Sequence, residues 1–171
     1  MEYSQEITWD QYFMSMAYFV SMKSKDKSTK VGCVIVGDDN EVVSTGYNSF
    51  PRLLNDNVPE RSERPLKYMF VEHAERNAIA NAARIGVSTK NCRIFTPWYP
   101  CVECSRMMIQ SGIKEIILHT EFPGNVVNTD QWSDSMKVGQ EMLKECGVDV
   151  RWWSGKIIQP TGFFQGKPYY L

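Results

Sequence analysis

Residues 73–119 read HAERNAIANAARIGVSTKNCRIFTPWYPCVECSRMMIQSGIKEIILH, and this stretch decides the fold. His73 to Arg84 is rich in Ala, Ile, Glu and Arg and stops before Gly86, as a helix with a glycine end does. Arg93 to Thr96 predicts a strand, followed by the breaker Pro97-Trp98-Tyr99-Pro100. Cys101 to Gln110 predicts a second helix closed by Gly112, and Glu115 to His119 a second strand. The segment is thus helix, strand, helix, strand.

Working outward, residues 9–23 carry Trp9, Tyr12, Phe13, Met16, Phe19 and Val20 at helical spacing, an aromatic and Met stripe expected to face the core. Val31 to Val36, the turn cluster Gly37-Asp38-Asp39-Asn40 and the alternating stretch Glu41 to Tyr47 predict a hairpin. Residues 48–69, with several prolines and charges, predict a long loop, the kind that carries function in compact domains. A helix over about 132–145 and a strand at Val148–Trp152 complete the order α-β-β-α-β-α-β-α-β. That alternation predicts an α/β protein with helices on both faces of a sheet and a site at the carboxyl ends of strands. One domain over residues 1–171 is expected, with an insertion at about 49–70 and an aromatic tail at about 153–171.

Apolar residues make up 43% of the chain and charged residues 23%, an ordinary globular balance. No stretch has the length of a membrane span. Met1-Glu2-Tyr3-Ser4 lacks a basic region followed by an apolar run, so no secretory signal is expected and the expected location is cytoplasmic. A formal net charge of −1 argues against a long nucleic acid as partner, because such partners call for a basic face. Five cysteines, without a secretion signal, do not form a disulfide framework. Cys33, Cys92 and Cys146 read as small buried hydrophobes.

Cys101 and Cys104 are different. A Cys-x-x-Cys pair at a helix start puts two thiols on one face, where the positive end of the helix favours the metal-binding thiolate. Alone, the pair is a redox motif, half a zinc knuckle or chance. His73 also opens a helix, and Glu75 follows two positions later. Both helix starts belong at the same edge of the sheet, so the motifs face one another there. Three protein ligands, His73, Cys101 and Cys104, leave one zinc position open, as a catalytic site requires. A water there loses its proton more readily, and Glu75 is placed to take it. A closed structural site needs a fourth ligand. The only other histidine is His119, and no third cysteine lies near either motif.

His-x-Glu followed by Pro-Cys-x-x-Cys is the signature of the zinc deaminases. With it, Lys27-Ser28-Thr29-Lys30-Val31-Gly32 and Gly46-Tyr47-Asn48-Ser49-Phe50-Pro51-Arg52 make the chain, over about Ser24 to His119, resemble the deoxycytidylate (dCMP) deaminases of the cytidine deaminase superfamily. The resemblance implies a three-layer α/β/α sandwich around a five-stranded mixed sheet. It implies one catalytic Zn2+ on His73, Cys101 and Cys104, Glu75 as proton shuttle and Asn48 on the sugar. The backbone at Ala74 and Cys101 would hold the base and the oxygen nucleophile. It further implies a homo-oligomer, in many members a hexamer, and conversion of dCMP and water to dUMP and ammonia. Ser49 stands where the family often has Gly. Residues 49–72 hold no Cys or His, so a single zinc is expected.

Several features carry two readings. Lys23 and Lys25 read as a solvated helix end, whereas Thr29 and Lys30, beside the matched motif, are candidates for a phosphate contact, as is Arg52. Trp98 and Tyr99 either stack on the base or pack a loop onto the sheet. Leu53, Leu54, Arg61, Arg64, Lys67 and Tyr68 form a lid or an interface arm. Trp152, Trp153, Phe163, Phe164, Tyr169 and Tyr170 are expected to cover the core or a subunit contact. The alternative substrates are a modified dCMP, a guanine or adenine nucleotide, or a base in a polynucleotide. A zinc-stabilised binding module without catalysis ranks last, because it leaves Glu75 without a purpose.

Overall fold

Strand β1 (Gly32–Val36) is buried along its whole length. In the computed structural model, which describes residues 6–126, 130–159, 162–164 and 167–169, it pairs antiparallel with both β2 (Val42–Tyr47) and β3 (Arg93–Phe95). β3 runs parallel to β4 (Glu115–His119), and β4 to β5 (Asp149–Trp153). The sheet order is β2-β1-β3-β4-β5. Four strands therefore point one way and β1 the other, which makes the five-stranded sheet mixed. The carboxyl ends of β2, β3, β4 and β5 share one edge.

Alternating side chains along each strand feed two cores. Cys33, Ile35, Ile94, Ile116 and Leu118 pack with Ala78 of α3 (Ala74–Ile85), Met108 of α4 (Val102–Gln110) and Leu143 of α6 (Asp130–Glu145). Val34, Val36, Phe95 and Ile117 pack on the other side with Phe13, Met14 and Ala17 of α1 (Trp9–Ser21). Helices thus cover both faces, and the result is the α/β/α sandwich around a mixed five-stranded sheet that the resemblance implies. Two single-turn helices, α2 (Lys67–Phe70) and α5 (Pro123–Val126), sit in the loops before α3 and after β4. Strands β6 (Gly162–Phe164) and β7 (Lys167–Tyr169) pair as a separate hairpin.

Some expectations need correction. The face of α1 that enters the core joins Phe13, Met16 and Val20 of that stripe to Met14, Ala17 and Ser21, whereas Trp9 and Phe19 remain 56% and 66% exposed. The spacing is helical, and Ala17 within the buried face lets the helix lie close to Gly32 of β1. The 48–69 segment is not wholly loop, since a 3-10 turn at Pro59–Ser62 and the start of α2 fall within it. Cys33 and Cys92 are buried, but Cys146 is exposed, because it follows the last residue of α6 beside the left-handed Gly147. In the tail region Trp153 packs on the second core and Trp152 is half exposed. The side chains of Phe163, Phe164 and Tyr169, and all of Tyr170, lie outside the described residues.

Two contacts fix the segments around the carboxyl edge. The first is a close approach of α3 to β2. A Cβ on Gly46 would stand 2.3 Å from both the Ala74 carbonyl oxygen and the Ala78 nitrogen, so only glycine admits the helix at this depth. Asn77 and Asn81 tie the same pair by donating to the Tyr47 and Thr45 carbonyls at 2.9 and 2.7 Å. The second is a hub on Asp26. One carboxylate oxygen accepts from the Ser28 nitrogen, the Ser28 hydroxyl and the Thr29 nitrogen at 2.8, 3.0 and 3.2 Å. The other meets Lys67 Nζ of α2 at 2.5 Å, and both side chains of this pair are nearly buried. Asn48 completes the hub. It donates to Asp26 and to the Thr29 carbonyl and accepts from the Val31 nitrogen. The 49–72 insertion is thereby pinned to the loop before β1.

Replacing Gly46 with Ala should lower stability by about 2–3 kcal/mol and the Tm by roughly 5–10 °C in thermal denaturation. Burial opposes charge on Asp26, but the bonds from Lys67, Ser28 and Thr29 outweigh it and hold its carboxyl below the ordinary value. The hub's contribution is therefore present above the unfolded carboxyl pKa of about 3.9 and lost as pH falls through the lower folded value. Asp26→Asn should cost about 3 kcal/mol at neutral pH, because Lys67 is left buried and unpaired. In denaturant titrations the gap to the wild type should close below about pH 4.

Candidate active site

His73 and Cys101 occupy equivalent places. Each is the extended residue before a helix, with φ −77° and ψ 156° ahead of α3 and φ −71° and ψ 169° ahead of α4, and neither side chain caps its helix. Both side chains are therefore free to point off the sheet edge toward one another. Cys104 lies in the first turn of α4. That turn is held from α6 by Ser135, whose hydroxyl accepts from the Val102 nitrogen at 3.1 Å.

The result is a three-donor cluster. His73 Nδ1 lies 3.5 Å from Cys101 Sγ and 3.4 Å from Cys104 Sγ, and the two sulfurs are 3.5 Å apart. Donors at ordinary bond lengths from a tetrahedral zinc stand roughly 3.5–3.8 Å apart, so the residues fit that ion without rearrangement. Among the described residues no other group of three His, Cys, Asp or Glu side chains could hold a metal. The cluster's protonation also suits a cation. The two thiols share a proton: the bond with Cys104, aided by His73, holds Cys101 down to about 3, while the bond with Cys101 and burial raise Cys104. Burial pushes His73 down, but its contact with Cys101 and the nearby negative charges give a net upward shift. A divalent ion replaces these protons and neutralises both thiolates.

Glu75, in the first turn of α3, is 4% exposed and shares the pocket with this cluster. Burial raises its carboxyl above the ordinary value. Arg76 spans the two helices, donating to Glu72 and to Glu103, and its charge lies close enough to favour both thiolates. Glu72 in turn accepts from the His73 nitrogen at 3.0 Å. These outer contacts set the donors' orientation, and only the helical spacing of Glu72 and Arg76 hinted at them.

The pocket over the cluster is lined by Thr29, Asn48, Ala74, Trp98 and Tyr99, together with His73, Glu75 and Cys101. Lys30 and Arg52 are outside it. Lys30 is exposed between two lining residues, Thr29 and Val31, and Arg52 donates instead to Asn81 of α3 at 2.6 Å. Trp98 and Tyr99 belong to a loop that packs onto the fold and also borders the pocket. They line the pocket, yet Trp98 donates to the Gly124 carbonyl at 3.1 Å and rests on Phe122, with ring centroids 5.7 Å apart. Asn125 clasps the same loop, donating to the Pro97 and His119 carbonyls at 2.7 and 2.9 Å and accepting from the Tyr99 nitrogen at 3.1 Å. No motif marks Asn125. Met136, Val71 and Asp26 also line the pocket and carried no signal in the sequence.

Known proteins are similar to this chain. A sequence profile of the cytidine and deoxycytidylate deaminase zinc-binding region matches residues 7–120. The deoxycytidylate deaminase of Mus musculus is 39% identical over 157 residues, which span 88% of this chain and 82% of the relative. An uncharacterized deaminase from the luxG 3' region of Aliivibrio fischeri is 35% identical over 151 residues, covering 88% of this chain and 97% of the relative. The crystal structure of dCMP deaminase from cyanophage S-TIM5 in complex with dCMP and dUMP superposes with a TM-score of 0.67 at 25% identity, covering 88% of this chain and 100% of that one. The chain belongs to the cytidine and deoxycytidylate deaminase family.

Proposed function

We propose that the chain catalyses hydrolytic deamination of dCMP to dUMP and ammonia, with Glu75 as the proton carrier. The observation that carries this reading is the convergence of three metal donors with a buried carboxylate at the floor of one pocket. His73, Cys101 and Cys104 hold a single zinc ion, which when bound makes an attached water acidic enough to attack near neutral pH.

The chain's own groups do the rest. Glu75, whose affinity for a proton is raised by burial, takes one proton of the attacking water and gives it to the ring nitrogen, then takes the remaining hydroxyl proton and gives it to the amine, which departs as ammonia as the ring carbonyl forms. Ala74 and Cys101 offer backbone to the base at the positive ends of α3 and α4. Trp98 and Tyr99 form the wall against which the ring lies. Asn48 faces the sugar while bracing the 26–31 loop, since its amide is already bonded to that loop. Met136 and Val71 give the pocket apolar lining.

The reading includes a soluble mononucleotide as substrate and a cytoplasmic enzyme. No helix among the described residues is long and apolar enough to cross a membrane. It also includes a homo-oligomer, supported by the exposed Trp9, Tyr12, Phe19 and Met22 on α1 and its end. No partner nucleic acid is required, and the near-neutral charge agrees with that.

Glu75→Ala should keep its zinc, measured by elemental analysis, and lose about 1,000-fold in kcat for ammonia release from dCMP. Undiminished turnover, or preference for another nucleotide in a panel of monophosphates, nucleosides and oligonucleotides, would overturn the assignment. Stripping the zinc with a chelator should abolish turnover and lower the Tm. Zinc restored at 1,000 times its Kd should return about 4 kcal/mol of stability together with the activity.

A further inference from the structure

A nucleoside monophosphate brings a phosphate with nearly two negative charges into the pocket, and some cation must meet it. The sequence offered Lys30 and Arg52, but neither lines the pocket. Among the described residues that do, the cations are Arg64 and Lys67, apart from the metal donor His73. Lys67 is spoken for: it is nearly buried, paired with Asp26 at 2.5 Å and bonded to the Ser28 hydroxyl at 2.9 Å. Its charge is neutralised before any substrate arrives.

Arg64 is in the opposite condition. It makes no ion pair with a described carboxylate. Its guanidinium lies 5.7 Å from the centre of the Tyr68 ring, itself a lining residue. The segment that carries it is fixed, because Lys67 anchors α2 to the Asp26 hub and the Lys67 nitrogen donates back to the Glu63 carbonyl at 2.7 Å. A guanidinium braced on a ring keeps its forked donors turned outward for two phosphate oxygens.

Resting on the dCMP reading above, the geometry points to Arg64, delivered by the 49–72 insertion, as the residue that binds the 5'-phosphate and makes the enzyme select nucleotide over nucleoside. Asp26 and Lys67 act on it as positioning residues, not as phosphate ligands.

The test compares the zinc-loaded full-length wild type with Arg64→Ala and Arg64→Lys, using dCMP and deoxycytidine as substrates and inorganic phosphate as inhibitor. Arg64→Ala should raise KM for dCMP about 10–100-fold with little change in kcat. The ratio of kcat/KM for dCMP over deoxycytidine should fall by a similar factor, and competitive inhibition by phosphate should weaken. Arg64→Lys should restore part of each effect, since it keeps the charge but loses the fork. Unchanged dCMP kinetics would make Arg64 an ordinary solvated arginine, and an equal loss on both substrates would make it structural. Either result overturns the proposal. A wild type that acts on neither substrate overturns the dCMP reading itself, so the two failures are distinguishable.

Discussion

Three donor atoms carried by two helices must meet within about 3.5 Å, and the protein satisfies this by ending two different loops at one edge of one sheet. β2 and β3 point the same way only because β1 runs backward between them. A helix that follows either strand and packs on the same face then starts at the same edge. His73 and Cys101, each one residue ahead of its helix, inherit that placement. The glycine contact at position 46 sets the depth of α3, and the Ser135 bond sets the start of α4.

The chemistry follows from the same placement. Thiolates and a carboxylate are all buried in one small volume, an arrangement that repels itself unless a cation is present. Arg76 supplies part of that charge from outside, linking Glu72 and Glu103 across the two helices. Zinc supplies the rest. Glu75 is left as the one carboxylate in the cluster without a structural duty, and burial makes it readier to take up a proton.

Much of this was legible in the residues, and the reason is local. Cys101, Cys104, His73 and Glu75 sit at short fixed spacings, and the alternation of helix and strand over 73–119 places both motifs without any long-range information. The five strands of the main sheet were read within a residue of their ends because their burial is alternating or complete, whereas β6 and β7 went unread in the tail. What could not be read depends on contacts distant in the chain. Arg52 and Lys30 carry the right charge beside the right motif, yet one bonds to Asn81 and the other faces solvent. Arg64 and Lys67 are alike in sequence, and only the buried Asp26 separates them. Asn125 is an ordinary loop residue until the Pro97–Tyr99 turn folds against it. The stripe of α1 was legible only in part, because helical spacing fixes a period but not which side of the helix meets the sheet: Phe13 enters the core while Trp9, Tyr12 and Phe19 stay exposed.

The pocket draws its walls from the loop before β1, the insertion ahead of α3, the turn before α4 and the body of α6. None of these encloses a cavity alone, and the hub on Asp26 joins the first two only after residues far apart in sequence have met. The cavity therefore exists only where all of these segments have met. Cys101 and Cys104 are neighbours in sequence, but the walls over them come from segments far apart in the chain. Two of the metal donors are thus a local feature of the chain, whereas the cavity above them is a property of the whole fold.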